Sequence, residues 1–168
     1  MAIWQHDYLL IPQAKLTEYY GRIPETVSTD ERDNFSWWKG VPEPNPVDIE
    51  KILPPQTGGW VESVKHIMKR WGSDKGNSFT LTYGDGNYAE KGLLVSVELR
   101  IDLRKESGDV REFVQAIVAL AKENAWCFRN DHSAILMPDF ETIAKDIGRS
   151  QAQDFITTHP ASPFVDDL

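Results

Sequence analysis

The run LLVSVELRIDLR, residues 93–104, alternates without a break. Leu93, Val95, Val97, Leu99, Ile101 and Leu103 fall on one side, and Ser96, Glu98, Arg100, Asp102 and Arg104 on the other. Successive strand side chains point to opposite faces, so this spacing predicts a long strand with one face on a core and the other open to water or a partner. Same-face neighbours on a strand stand about 7 Å apart, within reach of long side chains. Glu98 and Asp102 are therefore expected to pair with Arg100 and Arg104 along the strand, which holds both carboxylates ionised and suits adhesion better than general acid catalysis. That face also lacks the aromatics with which a sheet reads RNA.

The flanking sequence predicts how this strand is packed. Residues 3–11 read as a first strand ended by Pro12, and SFTLTY followed by the turn residues of YGDGN as another. GGWVESVKHIMKRWG, residues 58–72, carries Trp60, Val64, Ile67, Met68 and Trp71 at helical spacing, with Gly72 as its stop, and is expected to be a core-facing helix. DVREFVQAIVALAKEN predicts a second helix, with Asp109 and Glu112 forming a capping box. AWCFR and AILMP read as short strands joined by the turn NDHS. Asp139 is expected to cap a helix over 140–147 that Gly148 stops, and Ser150 to cap a further one reaching Thr157.

Residues 13–58 show weak periodicity, with short helices expected only around 14–20 and in PVDIEKIL, and they read as an irregular insertion rich in aromatics and prolines. Residues 158–168 are expected to fray. The order βαββαβ predicts a single α+β domain over 1–168, mainly an antiparallel sheet with helices on one face, built on a ferredoxin-like core with C-terminal helices.

Composition narrows the function. With 168 residues, 40% apolar and 26% charged, a core can form without a metal or disulfide staple. The net charge of −8 repels phosphate backbones, so no nucleic acid is expected as partner. Residues 130–168 carry seven acids against Lys145 and Arg149, which would attract a basic protein partner. Cys127, between Trp126 and Phe128, is the lone cysteine and reads as a buried thiol in a strand rather than a nucleophile. The N-terminal stretch is interrupted by Gln5, His6 and Asp7, unlike a signal peptide. No membrane association is expected, and the cytoplasm is the expected location.

No motif announces chemistry. His6, His66, His132 and His159 are scattered without metal-ligand spacing, and adjacent His6 and Asp7 would face opposite sides of a strand. There is no phosphate loop, no nucleophile elbow and no dinucleotide fingerprint. No catalytic, cofactor or metal site is therefore expected.

DNFSWWKGVPEPNP, residues 33–46, sets Trp37 and Trp38 side by side in the irregular insertion. Neighbouring side chains share no face of a helix or strand, so one is expected to plug the core and the other to face a partner. Phe35, Trp37 and Trp38, with Glu98, Arg100, Asp102 and Arg104, are the candidate partner-binding residues. VSVELRIDLR, VREFVQAIVALAKEN and WCFRNDHSAILMPD, within residues 93–139, resemble small bacterial immunity-type proteins that neutralise polymorphic toxins. The resemblance implies a cytoplasmic, non-enzymatic, acidic protein that blocks a toxin by surface complementarity, and it carries over no functional residue. Beside this reading, a protein-binding domain, stand two others. One is a small enzyme with a pocket between insertion and sheet that uses His6 with Glu98 or Asp102. The other is a homo-oligomeric assembly component.

Overall fold

The computed structural model describes residues 4–28, 37–87, 90–104 and 109–152. Among these, six strands form one sheet: β1 (Gln5–Pro12), β2 (Met68–Gly72), β3 (Ser78–Tyr83), β4 (Leu94–Asp102), β5 (Trp126–Arg129) and β6 (Ile135–Leu136). Their order is β2-β3-β4-β1-β5-β6, and every neighbouring pair is antiparallel. Five helices accompany the sheet: α1 (Gln13–Tyr20), α2 (Pro46–Glu50), α3 (Gly59–Ser63), α4 (Val110–Glu123) and α5 (Phe140–Ile147). The chain is therefore α+β with an antiparallel sheet. None of these helices is long and apolar enough to cross a membrane.

The main core lies between one sheet face and α4 with α5. Tyr8 and Leu10 of β1, Phe79 and Leu81 of β3, Val97, Leu99 and Ile101 of β4 and Phe128 of β5 meet Val114, Ile117 and Ala121 of α4 and Ile143 and Ile147 of α5. Asp109 caps α4 by accepting from the Glu112 amide, and Asp139 caps α5 by accepting from the Thr142 amide, as the sequence predicts. A register shift interrupts β4's alternation: Thr82 opposes Ser96 but Tyr83 opposes Leu94, so Val95 has no partner of its own. Leu94 is buried while Leu93 and Val95 are only half-buried, and the strict alternation of apolar and polar faces begins at Val97.

The expected helix over 58–72 is corrected. α3 stops at Ser63, and residues 68–72 form β2, paired with β3 from Met68 opposite Thr82 to Gly72 opposite Ser78. A five-residue helix has little stability of its own, whereas a strand beside SFTLTY gains a ladder of backbone hydrogen bonds and an edge-to-face contact of Trp71 on Phe79 at 6.3 Å. Gly72 acts in the hairpin instead of stopping a helix. Its φ is +88°, and a Cβ there would stand 2.0 Å from the Asn77 carbonyl oxygen. Residues 54–56 cover the outer edge of β2 through Gly72 N–H to Pro54 O and Gln56 N–H to Arg70 O.

Three further expectations change. The ferredoxin-like order sets two parallel strands side by side, whereas here β1 lies between β4 and β5, antiparallel to both. The first of that order's two helices has become β2. Nor are residues 13–58 an irregular insertion where they are described: they supply α1, α2 and the buried Leu16, Val27, Trp38, Ile49 and Leu53. Leu16 and Val27 form a second cluster with Ile11 and Cys127 on the other sheet face, so helices are not confined to one face. The expected helix to Thr157 and the frayed tail lie outside the described residues.

Candidate binding trough

The strand registers set five side chains from five strands in one row across the second face: Arg70, Thr80, Glu98, Leu9 and Arg129. Ser78, Arg100 and Asp7 form the next row. At about 4.8 Å per strand, the first row spans roughly 19 Å. Trp60 of α3 rises at the β2 end, and at the β5 end Val27, whose carbonyl accepts from Arg129, packs with Leu16 on Ile11 and Cys127. Between these walls lies a cavity of ≈ 380 Å³, lined by both rows together with Trp60, Met68, Asn130 and Asp131. Its size falls within the range of small-ligand pockets, which also admits a side chain or short segment.

Three guanidiniums line it, each held differently. Arg100 Nε donates to Asp7 Oδ1 at 3.2 Å, a cross-strand pair rather than the expected pairing along β4. Glu98 is exposed and accepts from Ser96 Oγ at 3.2 Å. Arg70 donates to Asp74 Oδ1 at 2.7 Å and to Ser78 Oγ at 3.2 Å, with its guanidinium 5.7 Å from the Trp60 ring centre. Trp60 Nε1 donates to Asp74 Oδ2 at 3.1 Å, which fixes the wall. Burial, with the Arg100 charge adding to it, lowers the Arg70 pKa against the opposing pull of Asp74. The hydrogen bond from Trp60 leads in holding Asp74 below the usual carboxylate range.

Arg129 is 8% exposed. Its Nε donates to Val27 O at 3.0 Å and its Nη2 to Ser133 Oγ at 3.1 Å, both neutral acceptors. Among the described residues no carboxylate pairs with it.

The other half of the β4 polar face is sealed, contrary to expectation. Asp102 is 0% exposed and accepts from Arg104 through Nε at 3.0 Å and Nη2 at 2.6 Å, while its own amide donates to buried Asn77. Arg104 also donates to Lys75 O and lies 4.9 Å from the Trp4 ring centre. Asp102 and Arg104 therefore fasten the end of β4 to the β2–β3 turn and line no part of the trough.

The aromatic candidates divide. Trp38 is 2% exposed and packs edge-on against Trp126 at 5.6 Å, so it is core. Trp37 is half-buried and stacks on Tyr20 at 6.5 Å. Phe35 lies outside the described residues. One tryptophan does plug the core, but the open aromatic beside the charged sheet is Trp60, 45% exposed, whose spacing predicts a place on a helix core stripe. The alternation of MKRWG could have placed Arg70 opposite Trp71, and that of WCFR places Arg129 on the Cys127 face.

His6 joins neither Glu98 nor Asp102, which face the other way. It pairs on the helix-covered face, with Nε2 3.2 Å from Asp146 Oδ2. Tyr8 Oη donates to the same oxygen at 2.7 Å, and Asn130 Nδ2 to Oδ1 at 2.8 Å. Burial opposes the Asp146 charge, yet the hydrogen bonds from His6, Tyr8 and Asn130 outweigh it and hold the carboxyl below its usual range. Burial and the Asp146 charge push the Tyr8 hydroxyl pKa upward. This cluster ties α5 to β1, and no sequence signal joins residues about 140 positions apart. Cys127 is buried and its thiol pushed up to about 11 by that burial. Among the described residues no group of three or more His, Cys, Asp or Glu side chains could hold a metal ion.

Compared with known proteins, the chain matches no family model, no curated protein and no solved structure.

Proposed function

We propose that this chain is a non-catalytic protein-binding domain whose trough grips a segment of another protein. The observation that carries the reading is the walled, 19 Å-wide row from Arg70 to Arg129, a width of roughly four strand spacings. It combines an exposed tryptophan, apolar Leu9 and Met68, and guanidiniums, the residue types that dominate interface hot spots. Toxin neutralisation by surface complementarity is one form such binding takes, and the pattern of residues 93–139 is its support.

A photo-crosslinking residue at Glu98, in the trough, is compared in the native host with one at Glu112, exposed on α4. A protein crosslinked only from position 98 is then purified and titrated against Trp60→Ala. The expected result is at least a tenfold loss of affinity at near-unchanged stability, the size of a hot-spot truncation. Crosslinking from 112 alone, or unchanged affinity in Trp60→Ala, would refute the reading.

A further inference from the structure

Resting on the trough reading above, we infer that the bound segment is an extended stretch of a partner protein that presents one carboxylate to Arg129 and apolar side chains to Trp60 and Met68. The first ground is the state of Arg129. A guanidinium cannot shed its proton, and burying it without a counter-charge is costly unless something supplies one. Arg129 is 8% exposed, lines the cavity and, among the described residues, bonds only neutral acceptors.

The carboxylates of the trough do not serve it. Asp7 is taken by Arg100, and Asp131 lies 3.6 Å from the exposed His132 ring. Glu98 stands in the same row, but the Leu9 strand lies between them, so their backbones are about 10 Å apart. No ion pair joins Glu98 to Arg129 among the described residues. A second buried nitrogen points the same way: among the described residues Arg70 Nε has no hydrogen-bond partner, although its other nitrogens are engaged.

The ligand's chemistry follows from what surrounds these groups. Asp7, Glu98 and Asp131 also line the cavity, and the chain's net charge is −8, so a polyanion such as a phosphorylated segment or nucleic acid would be repelled. A single carboxylate matches a single guanidinium that no carboxylate pairs with among the described residues, and Arg binds a carboxylate through two parallel hydrogen bonds. The apolar end is separate: Trp60 and Met68 belong to the β2 side, four strand spacings from Arg129. An extended chain rising about 3.3 Å per residue crosses roughly 19 Å in about six residues, which a compact small molecule does not. The carboxylate can come from a chain end or from an Asp or Glu side chain.

Three acetylated hexapeptides of equal apolar content separate these sources. One has Leu at its N-terminal side and a free C-terminal carboxylate, the second is its C-terminal amide, and the third is an amide carrying one internal Glu. Binding to the full chain is read from the NMR signals of the Trp60 indole N–H and the Arg129 Nε–H. The expected result is saturable shifts at both signals with one or both carboxylate peptides, at least tenfold weaker binding of the uncharged amide, and loss of that preference in Arg129→Gln. Because Arg129 is buried, a folded Trp60→Ala variant supplies the second arm: it weakens all peptides about equally and keeps the carboxylate preference. Equal affinity for acid and amide would overturn the carboxylate assignment while leaving the trough as a binding site. Carboxylate peptides that shift neither signal would overturn the inference, and a protein partner crosslinked from position 98 would still uphold the broader reading.

Discussion

Two pairs of charges on one strand face meet opposite fates. Glu98 and Arg100 lie in a trough, one exposed and the other tied across strands to Asp7, while Asp102 and Arg104, two and four residues beyond Arg100, are clamped under the β2–β3 turn and Trp4. Alternation decides which face a side chain points to. Whether that face is covered is decided by other parts of the chain, here Asn77 and Lys75 of a hairpin that exists only because residues 68–72 pair with β3.

The sharpest way to break this contrast starts from the buried side of the molecule. Trp38→Ala should cost about 4 kcal/mol in urea unfolding, the range for deleting a buried large aromatic, while Trp37→Ala costs distinctly less because its ring is half-buried. Asp102→Ala should come next, at about 3 kcal/mol, because it removes the carboxylate of a charge pair in a site that is largely closed to water. A value near zero would mean that the clamp is loose and that β4 has no sealed half.

The Asp146 cluster predicts a smaller effect with a defined sign. Its folded-state pKa lies below the ordinary carboxylate value, so the unfolded chain binds more protons in the window just below about pH 4. Stability from this group is complete above that ordinary value and falls as pH drops toward the folded pKa. Asp146→Ala should remove about 2 kcal/mol at neutral pH, leaving Tyr8 and Asn130 without their acceptor, and should flatten the acid limb of the stability curve. Wild-type and variant curves that stay parallel from pH 6 to pH 3 would contradict it.

Smallest of all is the effect of Glu98→Ala, within about 0.5 kcal/mol of wild type, since the side chain is exposed and accepts from a serine hydroxyl. Set against Asp102→Ala, it states the contrast as a difference of several-fold in cost between two carboxylates four residues apart on one face.

The sequence carries β1, β3, β4, β5 and β6, the long helix and both aspartate caps because these depend on local spacing and on capping geometry within a few residues. Asp109 and Asp139 are correct to the residue for that reason. Residues 58–72 mislead because Trp60, Met68 and Trp71 satisfy a helical stripe, while the deciding partner, SFTLTY, is supplied by the hairpin. The trough is illegible for the same reason: Arg70, Glu98 and Arg129 come from three separate strands and share a row only through register. What spacing does show is the polar face of β4, and half of that face proved to be fastening. His6 was visible as a titratable group in a strand, but its partner Asp146 lies on a helix that only the fold brings near.

The central claim is that the open half of the β4 polar face binds and the sealed half holds. Two-dimensional amide NMR of the full chain, titrated with the purified protein that crosslinks from position 98, tests it most directly. The account predicts shifts at Leu9, Thr80, Glu98 and the Trp60 indole, with Asp102 and Arg104 unmoved. A footprint centred on Asp102 and Arg104, or on the exposed side of α4, would contradict it.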